Sequence, residues 1–98
     1  MLELIKSATF DRWFSTLRDP KAAARVQIRL DRLSMGNLGD VKPVGGGISE
    51  MRITYGPGYR VYFIQRGKVI VILLCGGDKS TQSKDILQAK AIASEWKD

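Results

Sequence analysis

The spacing of apolar residues predicts a helical first half and a strand-rich second half. Residues 2–5 alternate in the manner of a short strand, and a short helix is expected after it with Thr9 as its N-cap. The core face of this helix consists of residues at helical spacing, namely Phe10, Trp13, Phe14 and Leu17. Because that spacing already explains the aromatic residues, they are interpreted as core rather than as a platform for stacking bases.

A second, longer helix is predicted from Asp19 and Pro20, as N-cap and first helical residue, to the neighbourhood of Met35. A basic stripe lies beside its apolar face and comprises Lys21, Arg25, Arg29 and Arg32. The stripe is either a solvated helix face or a contact surface for a phosphate backbone. Repulsion between like charges one turn apart is a cost that an acidic partner would relieve, so both interpretations stay open.

The second half predicts three strands and a final helix. Residues 36–47 are glycine-rich and mark the passage from the helical half to the sheet half. The run Gly45-Gly46-Gly47 is expected to be a mobile connector, since it lacks the ending of a phosphate-binding loop. Period-two alternation predicts strands over 48–54 and around 60–64, and a nearly continuous apolar run predicts a covered strand over 69–75. Short turns make these strands an antiparallel meander, and a helix is expected to begin around 80–82. The predicted fold is α+β in the order β-α-α-β-β-β-α, with two N-terminal helices packed on an antiparallel sheet and a C-terminal helix.

Composition changes this picture mainly through charge. The 98 residues are enough for one domain, residues 1–98, and carry 16 Lys and Arg against 10 Asp and Glu, a net charge of +6. A sequence pI near 9.8 favours polyanions such as RNA, DNA or acidic protein segments, although charge alone also serves solubility.

Cysteine and histidine usage narrows the chemistry. The single Cys75 cannot form an internal disulfide and is expected to pack as a small apolar residue, and the chain has no histidine. Neither zinc-ligand spacing nor a calcium loop is present in the sequence, so no metal and no cofactor are expected. Charged residues interrupt the N-terminal apolar run and residues 69–75 are too few to cross a bilayer, which predicts a cytoplasmic protein without a membrane partner.

Three cations stand where predicted strands meet turns: Arg52, Arg60 and Lys79. The turns beside them, residues 56–58 and 76–77, contain glycines that would let backbone approach a bulky anionic partner without obstruction by Cβ. The sequence therefore predicts a concave basic surface that binds a phosphate backbone.

Several motifs in one order resemble the RelE/ParE toxin superfamily and, more narrowly, HigB-like addiction-module killer proteins. The resemblance covers nearly the whole chain and is carried by Glu50-Met51-Arg52, by Gly56-Pro57-Gly58-Tyr59-Arg60-Val61-Tyr62, and by Gly76-Gly77-Asp78-Lys79-Ser80 with Gln82 and Asp85-Ile86. It implies a RelE-like fold and a cytoplasmic bacterial toxin of a type II toxin–antitoxin system, held inactive by a cognate antitoxin protein.

Members of this superfamily act on different targets. One branch cleaves messenger RNA on the ribosome as an mRNA interferase, which forms a 2′,3′-cyclic phosphate and inhibits translation, and the ParE-like branch inhibits DNA gyrase without cutting RNA. By resemblance, Arg60 matches the strand arginine that contacts the scissile phosphate, with Lys79 and Arg52 near other basic positions. Some family nucleases carry a tyrosine or histidine in the C-terminal segment, and residues 80–98 contain neither.

Cleavage through the 2′-hydroxyl needs a base, a stabiliser of the phosphorane charge and an acid for the leaving oxygen. Arginine remains protonated and serves as the stabiliser, so the base is sought among Glu50, Asp78, Lys79, Tyr59 and Tyr62. Glu50 is either a base or an ordinary ion-pair partner of the arginines, and Tyr62 either donates a proton, stacks on a base or completes the core edge. Additional RNA contacts are expected from Arg25, Arg29, Arg32, Lys42 and Tyr59.

A ribosome-dependent endoribonuclease with messenger RNA and the ribosome as partners is the first expectation. The alternatives are a noncatalytic ParE-like gyrase inhibitor and a basic RNA-binding regulatory module without toxicity.

Overall fold

Five strands form one mixed sheet in a computed structural model that describes residues 1–97. Asp98, the last residue of the predicted domain, lies outside that range. In chain order the elements are β1 (Glu3–Lys6), α1 (Ala8–Ser15), α2 (Pro20–Ser34), β2 (Val41–Gly45), β3 (Ile48–Ile53), β4 (Tyr59–Arg66), β5 (Ile70–Gly77), a 3-10 turn (Lys79–Thr81) and α3 (Gln82–Glu95). The spatial order of the strands is β1-β5-β4-β3-β2.

The predicted antiparallel sheet in the order β-α-α-β-β-β-α is wrong in two respects. The observed order is β-α-α-β-β-β-β-α, because β2 is an additional strand paired antiparallel with β3. The sheet is mixed rather than antiparallel, because β1 pairs parallel with β5, from Glu3 opposite Ile70 to Lys6 opposite Leu73. These two strands are separated by most of the chain, so no local turn signal could have reported their pairing.

The glycine run expected to be a mobile connector is the turn of a β-hairpin. Gly45, Gly46 and Gly47 have φ values of 98°, 65° and 79°, which residues with a side chain rarely adopt. Backbone in this region turns the chain tightly from β2 into β3, and the pairing shifts register at Gly45.

Helices cover both faces of the sheet, which gives three layers. On one face α1 and α2 pack a buried cluster that joins helix residues to strand residues: Phe10, Val26, Leu30, Leu33, Met51, Val61, Phe63 and Leu73. On the opposite face α3 packs Ala89 and Ala93 against Ile48, Ile64 and Ile72. The aromatic helix face predicted from the sequence is thus core at Phe10, which is fully buried.

Capping residues fix where the first two helices begin. Ser7, not the predicted Thr9, caps α1: its hydroxyl accepts from the Phe10 N–H at 3.0 Å and donates to the Leu74 carbonyl at 2.6 Å. Ser7 is buried, so one hydroxyl both starts the helix and ties it to β5. For α2 the prediction is confirmed, since Asp19 accepts from the Lys21 N–H at 2.9 Å and Pro20 is the first helical residue.

Cys75 lies buried in β5, as expected of a small apolar residue. Burial raises the pKa of its thiol to about 12, with the nearby Asp85 carboxylate as a second cause, so the thiol is not a nucleophile at neutral pH. None of the helices formed by residues 1–97 has the length and apolar character needed to span a bilayer.

Candidate nucleic-acid interface

The three predicted cations line one groove at the end of the sheet. Arg52 comes from β3, Arg60 from β4 and Lys79 from the turn that follows β5. The groove has a volume of about 410 Å³, and its lining also includes Asp40, Tyr55 and Gly58. Residues far apart in the chain are therefore assembled into a single basic surface.

Strand register explains why the two arginines are neighbours. Arg52 and Arg60 are directly opposed in the β3–β4 pair, and Gly77 is the next residue across in β5. Like charges in opposed positions repel, so this arrangement needs acidic neighbours or a ligand. Asp40 supplies one neighbour, with its Oδ1 at 3.1 Å from Arg52 Nη2. Glu50 supplies the other, with its Oε2 at 3.8 Å from Arg60 Nε.

The turn of residues 56–58 forms one wall of the groove. Gly56 and Gly58 have φ values of 55° and 80°, and a Cβ on Gly58 would lie 3.2 Å from Arg60 Nη1 and 3.5 Å from Lys79 Cβ. Arg60 Nη1 donates to the Gly58 carbonyl at 2.7 Å, which holds the guanidinium against this wall. The missing Cβ of Gly58 lets Arg60 and Lys79 lie close to this turn, and the approach of an anionic partner to its backbone stays a prediction.

The same prediction is wrong for Gly76 and Gly77. Both residues lie in β5 rather than in a turn, and the protein's own side chains cover them. A Cβ on Gly76 would overlap the indole of Trp13, and a Cβ on Gly77 would overlap the carboxylate of Asp85. These glycines admit internal packing on both faces of the strand and leave no room for an external ligand.

Glu50 and Tyr62 lie beneath the groove and not in it. Glu50 is 1% exposed, Tyr62 is fully buried, and the Tyr62 hydroxyl donates to Glu50 Oε2 at 2.9 Å. Gln82 Nε2, at the start of α3, donates to the same oxygen at 2.8 Å. Burial, together with the hydrogen bond to Glu50, raises the pKa of Tyr62 well above its usual value. Neither side chain can touch a ligand in the groove in this conformation.

The other candidate acids and bases are placed differently. Asp78 caps the 3-10 turn by accepting from the Ser80 N–H at 2.8 Å, and the Ser80 side chain lowers the pKa of this carboxylate. Tyr59 faces the opposite side of the sheet, where its ring meets Trp13 edge-on at 6.3 Å. Lys79 is exposed at the groove, so it is the one of the candidate acids and bases that faces it.

A second groove follows the basic stripe of α2. It has a volume of about 490 Å³, and it shares Ile53 and Thr54 with the first groove. Its lining includes the whole predicted stripe, Lys21, Arg25, Arg29 and Arg32. The two basic surfaces are therefore continuous around the end of β3.

Within the stripe, the arginines do different things. The Arg25 guanidinium lies over the Tyr55 ring, 4.7 Å from its centroid, and remains exposed. Arg29 instead donates to the backbone, to the Arg52 carbonyl at 2.6 Å and to the Leu38 carbonyl at 3.3 Å. Lys42, also predicted to bind RNA, is exposed on β2 opposite Glu50.

Sequence reasoning assigned no role to three participants in this region: Asp40, Tyr55 and Gln82. Tyr55 directly precedes the glycine turn and supports Arg25, which sequence adjacency could have suggested. Asp40 reaches Arg52 and Gln82 reaches Glu50 only through tertiary folding. No local signal identifies the partner of either residue.

Comparison with known proteins gives one informative similarity. The chain is 52% identical over 94 residues to an uncharacterized protein of Haemophilus influenzae (strain Rd), which covers 96% of this chain and 95% of that protein. No protein-family model matches the chain.

Proposed function

We propose that this chain, which belongs to the same family as the Haemophilus influenzae protein, is the toxin of a type II toxin–antitoxin system. Its activity in this proposal is cleavage of messenger RNA on the ribosome, in the cytoplasm, and a cognate antitoxin protein restrains it. The motifs that resemble HigB-like killer proteins support the proposal, and so does the basic groove at the end of the sheet.

The observation that carries the proposal is the meeting of Arg52, Arg60 and Lys79 in one groove. Guanidinium groups present a planar fork of donors that matches phosphate oxygens, and an ammonium adds a mobile point charge. A phosphate in the groove would contact all three cations and relieve the repulsion between the two opposed arginines. A phosphodiester is therefore the ligand chemistry that the groove fits best.

The proposed reaction transfers the phosphoryl group within the RNA. The 2′-oxygen attacks the adjacent phosphorus, a bond from phosphorus to that oxygen forms, and the bond to the 5′-oxygen breaks. The 2′-hydroxyl gives up its proton to a solvent water and the 5′-oxygen receives one, so the products are a 2′,3′-cyclic phosphate and a 5′-hydroxyl. Arg60 and Arg52 stabilise the charge on the pentacoordinate phosphorus, and Lys79 protonates the leaving oxygen or neutralises it.

Positioning by the ribosome supplies the remainder of the rate in this proposal. Glu50 and Tyr62 are buried, so the groove holds few groups that could act as a base. Holding the 2′-oxygen in line with the scissile bond lowers the barrier by several kcal/mol without a strong base. Naked RNA is then expected to be a poor substrate compared with translated message.

The burial of Glu50 and Tyr62 also favours a second candidate, a noncatalytic gyrase inhibitor. A protein that only binds needs the cations and no acid–base pair. The two candidates share the groove and differ in the lesion that they cause.

The deciding experiment is brief induction of the protein in bacteria, followed by primer extension on abundant messages and by a search for gyrase-linked DNA breaks. We expect new 5′ ends within translated regions for the wild type and none for Arg60→Ala. Lys68→Ala, in the turn at the opposite end of β4, is the charge-matched control and should cleave like the wild type. Gyrase-linked breaks without message cleavage would replace the first candidate by the second, and neither lesion would exclude both.

A further inference from the structure

A buried carboxylate links three elements just below the groove. Glu50 Oε2 accepts from the Tyr62 hydroxyl at 2.9 Å and from Gln82 Nε2 at 2.8 Å, and it lies 3.8 Å from Arg60 Nε. Tyr62 belongs to β4 and Gln82 opens α3, so the carboxylate is held from two directions. Its position is fixed by neighbours that are themselves packed.

The pair formed by Glu50 and Arg60 contains one unused acceptor and one unused donor. Glu50 Oε1 and Arg60 Nε are both buried, and neither has a hydrogen-bond partner among residues 1–97. Buried polar atoms are usually satisfied, so an incomplete pair beside a binding groove calls for an explanation. The attraction between these two side chains is electrostatic in this conformation, since 3.8 Å exceeds hydrogen-bond length.

We propose that Glu50 is a positioning residue for Arg60 and that Gln82 and Tyr62 hold Glu50 in place for this task. The Arg60 side chain is only 12% exposed, and a cation so deeply buried needs a nearby counter-charge. Glu50 provides it on the Nε side, and the Gly58 carbonyl holds Nη1 at 2.7 Å. Fixed from both sides, the guanidinium presents its remaining donors to a phosphate in the groove.

This role excludes Glu50 as the base of the reaction. A carboxylate with 1% exposure, beneath Arg60 and occupied by two donors, cannot take a proton from a 2′-hydroxyl in the groove. The sequence pattern could not separate the two roles, because the base and the positioning residue would occupy the same strand position. Gln82 lies at the start of α3, and its hydrogen bond to Glu50 Oε2 holds the carboxylate below the groove.

The positioning role of Glu50 rests on the proposed function only because that function gives Arg60 a phosphate to bind. The first test therefore observes Arg60 itself and does not depend on RNA cleavage. The Arg60 Nε–H resonance in ¹⁵N-labelled protein reports the environment and solvent exchange of this group directly. Glu50→Gln should shift the resonance and accelerate its exchange, and Gln82→Ala should do the same to a smaller extent. Glu3→Gln, which removes an exposed carboxylate from β1, is the matched control and should leave the resonance unchanged.

Binding of a short single-stranded RNA completes the test through a double-mutant cycle. Glu50→Gln is expected to weaken binding by about tenfold in the wild type and to have little further effect in an Arg60→Ala background. Equal losses in both backgrounds, or an unchanged Arg60 resonance, would overturn the proposal. If Glu50→Gln does not fold, Gln82→Ala carries the same cycle, because its side chain is half-buried and makes a single contact to the carboxylate.

The two proposals fail in different ways. An Arg60 resonance that depends on Glu50 in a protein that cleaves no RNA would leave the positioning role standing and remove the nuclease. RNA cleavage that requires Arg60 but is unchanged in Glu50→Gln and Gln82→Ala would leave the nuclease standing and remove the positioning role.

Discussion

At the scale of single residues, burial separates the side chains that can meet a ligand from those that cannot. Arg52 and Lys79 reach the groove, Arg60 borders it from a largely buried position, and Glu50 and Tyr62 lie below it. Four of these residues come from two short stretches, 50–52 and 60–62, and Lys79 follows β5. Their roles differ because neighbouring elements cover some positions on a strand face and leave others open.

The contact between Gly76 and Trp13 leads to a prediction about stability. In Gly76→Ala the new methyl group would overlap the indole ring, which packs between β5 and Tyr59. We expect a loss of about 3 kcal/mol in the free energy of unfolding, measured by chemical denaturation. Gly46→Ala meets no atom within 4 Å and should lose about 1 kcal/mol from its left-handed backbone alone. Equal losses for the two variants would contradict the packing argument.

At the scale of elements, α2 is positioned at its start by Asp19. Its carboxylate accepts from the Lys21 N–H at 2.9 Å and from the Tyr55 hydroxyl at 2.8 Å. The Tyr55 hydrogen bond first, and the backbone bond to Lys21 second, lower the pKa of Asp19 below its usual value. The element that carries the basic stripe is thus tied to the residue that precedes the glycine turn.

This lowered pKa predicts how stability depends on pH. A carboxylate with a lower pKa in the folded state stabilises the protein fully above its unfolded pKa, and that stabilisation disappears as the pH falls through the folded value. Asp19→Asn keeps the cap but lacks this titration, so its deficit in melting temperature against the wild type should be largest at neutral pH and shrink in acid. Tyr55→Phe removes the main cause of the lowered pKa, so in that background the Asp19→Asn deficit should depend less on pH. A deficit that is constant with pH in the presence of Tyr55 would refute the lowered pKa of Asp19.

Arg29 joins α2 to the strands, and its substitution should affect stability more than binding. Its hydrogen bonds to the carbonyls of Leu38, just before β2, and Arg52, near the end of β3, attach the helix to the open end of the β2–β3 hairpin. We expect Arg29→Lys to lower the free energy of unfolding by about 2 kcal/mol, since lysine lacks the planar fork. Arg25→Lys, one turn away, should change it by less than about 0.5 kcal/mol. The reverse ranking in thermal and chemical denaturation would show that Arg29 is a surface cation.

At the scale of the whole molecule, the two basic grooves meet around the end of β3. They share Ile53 and Thr54, so a single strand leaving the Arg60 groove could continue along α2 past Arg25 and Arg32. Their continuity is a property of how α2 lies against the sheet.

This continuity predicts the salt dependence of RNA binding. Arg25→Ala combined with Arg32→Ala should weaken binding of all single-stranded sequences alike and reduce the slope of log K against log salt by roughly 0.7 for each cation removed. Titrations at several salt concentrations measure the slope, with Lys68→Ala as the control that leaves it unchanged. A slope unaffected by the double substitution would confine RNA to the Arg60 groove.

Local signals predicted much of the architecture. The Asp19 cap, the core face of α1 at Phe10 and the three strands of the meander follow from spacing and turn chemistry within a few residues. The parallel pairing of β1 with β5 and the extra strand β2 were missed. Both depend on partners that nothing in the adjacent sequence identifies, and the glycines of the β2–β3 turn resemble those of a flexible connector.

The sequence by itself determined an excess of cations, their places at the ends of strands, and the absence of histidine. Periodicity is a local property, so it could assign each residue to a face of a strand or helix. Only the tertiary structure decided that Arg52, Arg60 and Lys79 share a groove, that α2 extends it, and that Glu50 lies beneath. Burial and register across the sheet arise from contacts between distant segments, and those contacts exist only in the folded chain.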